Sequence, residues 1–387
     1  MRQAGVGIIG YGFMGKVHAF GYRSIPFYYD PPPLDVRLVG VATSSPETAE
    51  AARLHGGFDV ATSDWRTLMA RKDISIIDIC SPNPLHAQQL MEALAAGKSI
   101  YCDKPLTVTL AEAESVRAAM AGWKGTGQVA FHNRFFSGMQ RAKQLIDEGF
   151  LGTPIGFRAV YLHAGSVDPS VPLKWKLRAA EGGGVIRDLG SHLLDLIDWL
   201  AGPIVGIRTE TRILHPTRPD GRGGTEAVDA EDQVIFTVRM EGGALGTLEA
   251  SKIATGAEDD LRVEIHGARG AIRFDLMQPD FAEVFSLSDA NMPLGGTRGW
   301  KRVPALHRYA APGGFPSARA TSGWLRGHVH CQYSFLRAAA DGVPADPSLQ
   351  RGITVQRIMD SAERSAKTGA WQTLTRSSED PPDRSTR

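Results

Sequence analysis

The sequence predicts an α/β domain built on a parallel, doubly wound sheet, followed by an α+β domain with a large, mostly antiparallel sheet. Three observations carry this reading. Short β-branched runs alternate with Ala-, Leu- and Glu-rich helical stretches through the first third of the chain. After about residue 150 strand-like runs follow one another, with turns between them. At 387 residues the chain also exceeds what one hydrophobic core usually holds, so two domains are expected.

The first domain is expected over residues 1–130. "AGVGIIG" opens it as a strand, followed by a glycine-rich turn and a helical stretch from Met14. "VRLVGVA" (Val36–Ala42) is a second buried strand, after which Ser45 and Pro46 start an alanine-rich helix. "ISIIDIC" (Ile74–Cys80), "KSIYC" (Lys98–Cys102) and "GQVAFHN" (Gly127–Asn133) supply further strands. Strands separated by helices imply parallel pairing with right-handed crossovers.

The second domain is expected over 131–375. Its strands are read at Ile155–Ala164, Ile204–Leu214, Gln233–Met240, Ala244–Ile253, Leu261–Phe274 and Ala282–Leu287. Turns such as "EGG" and "GARG" suggest an antiparallel meander or open sheet. Helices return around Trp324–Ala340 and Gln350–Lys367, the last of them expected to pack back on the first domain. Leu306–Ser322 reads as a long mobile loop, and the polar residues 376–387 as a disordered tail.

Composition narrows the function classes. Apolar content of 42% and charged content of 22% are ordinary for a globular protein. A net charge of +1 gives no reason to expect nucleic acid or an anionic membrane as partner. No apolar run reaches the roughly 18 residues of a membrane span, and "MRQAGVGIIGYG" enters a strand without a signal peptide. Cys80, Cys102 and Cys331 are scattered in apolar surroundings, the pattern of reduced thiols. A cytoplasmic protein is expected.

"GIIGYGFMG" places Gly10, Gly12 and Gly15 as G-x-G-x-x-G between a strand and a helix, with Phe13 and Met14 inside the loop. The first glycine permits the tight turn, the second a close approach to a pyrophosphate, and the third helix–strand packing. The helix N-terminus then offers its N–H groups to the phosphates. The second strand ends "GVATSSPE", with no acidic residue for a ribose hydroxyl; Ser44 or Ser45 can bond the ribose instead. Neither rejects a 2′-phosphate, yet no Arg or Lys follows until Arg53 to neutralise one. The expected cofactor is NAD, with NADP as the alternative.

"YCDKPL" places Lys104 at the carboxyl edge of the sheet, where open α/β sheets bind ligands. Desolvation and the positive charge of an oxidised nicotinamide lower a lysine pKa there towards values useful for proton transfer. A second group lies in "EGGGVIRDLGSHLLDLIDWLAG" (Glu181–Gly202). At about 100° per residue Asp188, His192 and Asp195 fall within roughly 60° of one another. Val185, Leu189, Leu193, Leu196 and Leu200 occupy the neighbouring stripe. A core helix with a polar stripe of this kind suggests a site. A metal on Asp188, His192 and Asp195 is geometrically conceivable, but hydride chemistry does not need one and none is expected. Capping or a buried ion pair suits Asp195 better.

The glycine loop, "CSPNPLH" (Cys80–His86), "CDKP" and "GGGVIRDLGSH" together closely resemble the glucose–fructose oxidoreductase / inositol dehydrogenase (Gfo/Idh/MocA) family, over most of the chain from Val6 to about Leu374. The resemblance implies a Rossmann domain, an open-faced sheet domain, sugar or cyclitol substrates, and homodimers or homotetramers formed through that sheet. It implies Lys104, Asp188 and His192 around the reacting carbon, and Ser81, Pro82 and Asn83 beside the cofactor with His86 nearby. Asp103 replaces the family's usual Glu before the lysine and keeps its carboxylate. Arg134 stands where the family often has Arg, as a ligand contact or a structural ion pair.

The mechanism implied is hydride transfer from a carbinol carbon, such as C3 of a pyranoside, to nicotinamide. His192 or Lys104 takes the hydroxyl proton; His192 is favoured because imidazole titrates near neutrality. Asp188 orients that ring or accepts a substrate hydroxyl. Tyr161, His163 and Trp175 suit a pyranose, offering a ring face and polar edges. Lys174, Lys176 and Arg178 belong either to a solvated loop or to a site for an anionic sugar. Two other readings share these motifs: an NAD-dependent, redox-neutral glycoside hydrolase working by transient C3 oxidation and elimination, and a non-catalytic NAD-binding sensor.

Overall fold

The computed structural model describes residues 2–305, 309–315 and 320–375. The expected tail at 376–387 lies outside the described residues, as does part of the expected mobile loop at 306–322. The chain forms two compact units, Met1–Phe135 with His307–Gln356, and Phe136–Leu306 with Arg357–Arg387.

The first unit opens with strand β1 (Gln3–Ile9) and helix α1 (Phe13–Tyr28), then β2 (Asp35–Ala42), α2 (Pro46–Gly56), β3 (Val60–Thr62) and α3 (Arg66–Ala70). It continues through β4 (Ile76–Ile79), α4 (His86–Ala95), β5 (Ser99–Cys102), α5 (Leu110–Ala119) and β6 (Gly127–Val129). All strand pairs are parallel, in the order β3-β2-β1-β4-β5-β6. The order reverses between β1 and β4, which opens a crevice at their carboxyl ends. Helix caps follow the sequence: the Ser45 side chain accepts from Thr48 N ahead of Pro46, and Thr109 and Glu112 form a capping box.

Two expectations change here. The short strand β3 is half-buried "VAT", too short and too weakly apolar to stand out as a strand in the sequence. The run "GQVAFHN" stops as a strand at Val129, and His132–Phe135 coils into a buried 3₁₀ turn.

Beneath the glycine turn, α1 is tied to β4 by a buried polar cluster. His18 Nδ1 lies 2.9 Å from Asp78 Oδ1, and Cys80 Sγ lies 3.0 Å from that nitrogen and donates to Asp78 Oδ1 at 3.2 Å. Among the described residues these three alone converge as metal ligands might, with ligand atoms within 4.8 Å of one another. Each separation is an ordinary hydrogen-bond length with a donor to hand, so hydrogen bonding accounts for the cluster. Burial lowers the His18 pKa, but the carboxylates of Asp78 and Asp103 together outweigh it and the net shift is upward. Burial, reinforced by Asp78 and Asp103, pushes the Cys80 thiol well up, and burial does the same for Cys102. All three cysteines are free.

The second unit contains α6 (Ser137–Asp147), β7 (Pro154–Leu162), α7 (Ser191–Ala201), β8 (Ile204–Arg212), a hairpin of β9 (Thr217–Pro219) and β10 (Thr225–Ala227), β11 (Gln233–Met240) and β12 (Leu245–Ser251). It adds β13 (Asp260–Gly267), β14 (Gly270–Asp275), β15 (Phe281–Ser286), β16 (Lys301–Pro304) and β17 (Gln372–Thr373). Nine strands form one sheet, β16-β15-β14-β13-β7-β12-β11-β8-β17, antiparallel except for the central β7–β12 pair. The single run expected at Leu261–Phe274 is two strands, β13 and β14, joined at residues 268–269.

Alternation on β7 shows the sheet's two sides. Phe157, Ala159 and Tyr161 are buried, while Gly156, Arg158 and Val160 are not. The covered side packs against α7, whose Leu193, Leu194, Leu196, Ile197 and Leu200 are buried. The open side carries Arg158, Arg262, Arg273 and Arg302 with Glu264 and Glu283 around a concavity of about 360 Å³. Buried Arg218 on β9 donates to the carbonyls of Ser166 at 2.5 Å and Asp168 at 2.6 Å, fixing the loop that follows β7. The remaining helices are α8 (Trp324–Asp341), in the first unit, and α9 (Leu349–Thr368), which passes from the first unit into the second.

Because the folded state raises the His18 pKa, its protonation stabilises the first unit fully below about pH 6.5, the unfolded value. That contribution is lost as pH rises through the folded value. Thermal melts across this range should show stability falling with pH more steeply in the wild type than in His18→Gln; equal slopes would contradict the assignment.

Candidate active site

In the first unit the predicted cofactor residues gather because four strands end in one row. The register pairs Ile9 with Ala42 and Ile79, and Ile79 with Cys102. The glycine turn, Ser44, the Ser81–His86 segment and Asp103–Lys104 all follow directly from these ends. Gly10 has φ +89°, and a Cβ there would stand 2.5 Å from the Cys80 carbonyl oxygen. A Cβ on Gly15 would stand 2.2 Å from the Gly10 oxygen. Over Gly12, by contrast, a Cβ would meet nothing within 4 Å, so a cradle lies open above its backbone at the N-terminus of α1. Phe13 is exposed, its ring tilted 5.8 Å from Trp324, and Met14 is half-buried.

The ring nitrogens of buried His86 lie 2.9 Å from the carbonyl oxygens of Pro105 and Ser81, joining the segment after β4 to the one after β5. Ser81 Oγ donates to Gln89 at 2.7 Å, and Asn83 is buried at the start of a 3₁₀ turn that opens α4. Lys104 is half-buried, and its N–H donates to Asp103 Oδ1 at 2.9 Å. Asp103 therefore braces the lysine's backbone. Exposed Ser44 lies beside Ser45, whose oxygen caps α2, and Arg53 is engaged by Glu50 at 2.6 Å. Arg134 is buried and pairs with Asp346 at 3.2 Å, a structural ion pair.

In the second unit, Glu181–Gly202 is not one continuous α-helix. Ile186–Gly190 forms a π turn before α7 begins at Ser191, so the 100° count fails between Asp188 and His192. Asp188 is anchored by its N–H to Gly184 O at 3.1 Å, while His192 and Asp195 lie buried on α7. The preceding glycines serve close approach. Gly184 has φ +105°, and a Cβ would stand 2.5 Å from the Glu231 carboxylate; one on Gly183 would stand 2.5 Å from Lys176 O. Glu231 in turn accepts from Ile186 N at 2.9 Å and, through its own carbonyl, from Val185 N at 2.9 Å. Burial raises the Glu231 pKa against the opposing pull of that N–H, Arg187 and Lys252.

The Asp188 carboxylate is met by two ammonium groups, Lys252 at 3.0 Å and Lys176 at 3.1 Å. That environment disfavours a bound cation, so a metal held by Asp188, His192 and Asp195 finds no support. The His192 ring stands edge-on to Tyr161, centroids 5.8 Å apart, and Tyr161 stands edge-on to His163 at 5.1 Å. His163 pairs with Asp259 at 2.9 Å. Trp175 is half-buried beneath Lys176, whose Nζ lies 5.7 Å from the ring centre. Arg178 is engaged by Glu181 and Glu226, and Lys174 is exposed. Lys252, Glu231 and Asp259 carry no motif that singles them out in the sequence. Lys252 reads in "EASKIA" as an ordinary strand-end lysine, and only the fold brings it to Asp188.

Residues 4–131 match the family described as "Oxidoreductase family, NAD-binding Rossmann fold", and residues 139–273 match the "GFO/IDH/MocA C-terminal domain". The chain belongs to the GFO/IDH/MocA family. It is 34% identical to levoglucosan dehydrogenase of Pseudarthrobacter phenanthrenivorans, over 96% of this chain and 98% of that protein. It is 28% identical to inositol 2-dehydrogenase of Rhizobium meliloti, over 93% of this chain and 96% of that protein. A solved levoglucosan dehydrogenase in complex with NADH and levoglucosan superposes with TM-score 0.91 at 31% identity, covering 97% of this chain and all of that one. This GFO/IDH/MocA chain is accordingly an NAD-dependent oxidoreductase, and its first unit is an NAD-binding Rossmann domain. The open cradle over Gly12 and the engagement of Arg53 by Glu50 fit NAD.

Gly12→Val should fold as the wild type does but lose most of the thermal stabilisation that NAD gives, since its side chain fills the cradle. Gly10→Ala should lower the melting temperature without NAD, because φ and the Cys80 carbonyl both oppose a Cβ. An undiminished NAD response in Gly12→Val would place the pyrophosphate elsewhere.

Proposed function

We propose that this oxidoreductase oxidises a ring hydroxyl of a neutral pyranose-type sugar or glycoside. The carrying observation is the charge balance of the second unit's polar cluster. Lys176 and Lys252 are engaged by Asp188, and Arg178 by Glu181 and Glu226. A neutral, hydroxyl-rich ligand suits such a cluster better than a carboxylated or phosphorylated one. The names of the relatives, levoglucosan dehydrogenase and inositol 2-dehydrogenase, point to the same substrate class.

Bound NAD supplies the hydride acceptor for the carbinol carbon. The protein's own groups handle the proton and the hydroxyls. His192 takes the hydroxyl proton, its ring oriented by Tyr161. Asp188 accepts a hydrogen bond from a substrate hydroxyl, which orients the sugar. Lys104 holds the reacting oxygen, and a cation there favours the developing alkoxide. Tyr161, His163 and Trp175 offer faces and edges to the ring. The family resemblance suggests a homo-oligomer formed through the large sheet.

Purified protein should be incubated with NAD and a panel of neutral and acidic sugars and glycosides, levoglucosan included, while NADH absorbance and free sugar are recorded. NADH formed stoichiometrically with oxidised neutral sugar is expected. Catalytic sugar release without net NADH would replace this reading with transient-oxidation hydrolysis. Tight NAD binding with no turnover on any substrate would favour the sensor.

A further inference from the structure

A lysine directly after a strand normally keeps its ammonium in water. Lys252 does not. It follows β12, is only 8% exposed, and sets its ammonium 3.0 Å from Asp188. Its backbone is held on both sides: its N–H donates to Asp232 O at 2.8 Å, and its carbonyl accepts from Ser166 N at 2.9 Å. The side chain is therefore launched from a fixed point. Lys176 differs, because its side chain is 51% exposed and rises from a short 3₁₀ turn, Trp175–Leu177. One carboxylate thus has one buried cation and one surface cation.

We propose that the two lysines have unequal roles, in an inference that rests on Asp188 contacting substrate. Lys252 is a positioning residue that holds the Asp188 carboxylate aimed. Lys176 is an exchangeable occupant, its ammonium yielding its place to a substrate hydroxyl. A buried cation is retained only with its anion, so Lys252 stays. A half-exposed pair is weakly held, so Lys176 leaves at little cost.

The test is a double-mutant cycle on the full chain with NAD and levoglucosan, using Lys252→Met, Lys252→Arg, Asp188→Asn, Lys176→Met and the Lys252→Met/Asp188→Asn pair. Lys252→Met should lower kcat about a hundredfold with NAD affinity unchanged, and Lys252→Arg should recover at least about tenfold of that. Added to Asp188→Asn, Lys252→Met should cost less than about twofold more, since the double variant leaves no buried charge stranded. Lys176→Met should keep kcat and lower the sugar KM. If Lys252→Met multiplies its full loss onto Asp188→Asn, or Lys252→Arg rescues nothing, Lys252 does not act through Asp188 and the inference fails. A raised KM in Lys176→Met overturns the exchangeable role. Should Lys252→Met not fold alone, comparing the double variant with Asp188→Asn still separates the two outcomes. Wild-type turnover in Asp188→Asn would instead overturn the underlying functional reading.

Discussion

The second unit is organised around a single carboxylate held between two ammonium groups. Asp188 meets Lys252 and Lys176 at about the same distance, 3.0 and 3.1 Å, and the local chain is shaped to make this possible. The π turn at Ile186–Gly190 aims Asp188 away from the stripe a continuous α-helix would give it. Gly183 and Gly184 lack side chains where the Lys176 carbonyl and the Glu231 carboxylate press against them. Glu231 then caps the turn by accepting from Ile186 N–H. Removing one partner would leave the other charge uncompensated, so the buried lysine and the turn support each other.

The first unit solves a different problem, which is bringing four strand ends level and keeping a cradle open above them. Gly10 lies against the Cys80 carbonyl, and the His18–Asp78–Cys80 cluster ties the cofactor helix to the strand below. His86 links the two segments that follow β4 and β5, one of which carries Lys104. No helix among the described residues is long and apolar enough to cross a membrane.

Much of this is legible in the sequence because it depends on local pattern. The glycine loop, the buried parallel strands and the switch to antiparallel grammar after about residue 150 all leave periodic or turn signals. So does Lys104, through its place after a strand and before a proline. The rest depends on contacts between distant segments. The 100° count on Glu181–Gly202 assumes one helix type, and the π turn breaks it. Lys176 and Arg178 look like candidate anion ligands until Asp188, Glu181 and Glu226 come beside them. Lys252 gives no signal, because its burial is set by an acid that only the fold brings near.

In the proposed reaction NAD takes the hydride and a side chain of the protein takes the hydroxyl proton. The central claim is that His192 receives the hydroxyl proton. Single-turnover formation of NADH from bound NAD and an oxidisable sugar, compared between wild type and His192→Gln, tests this most directly. The expected result is a fall of about a hundredfold to ten-thousandfold in that rate, with NAD affinity unchanged. A His192→Gln rate close to wild type would contradict it.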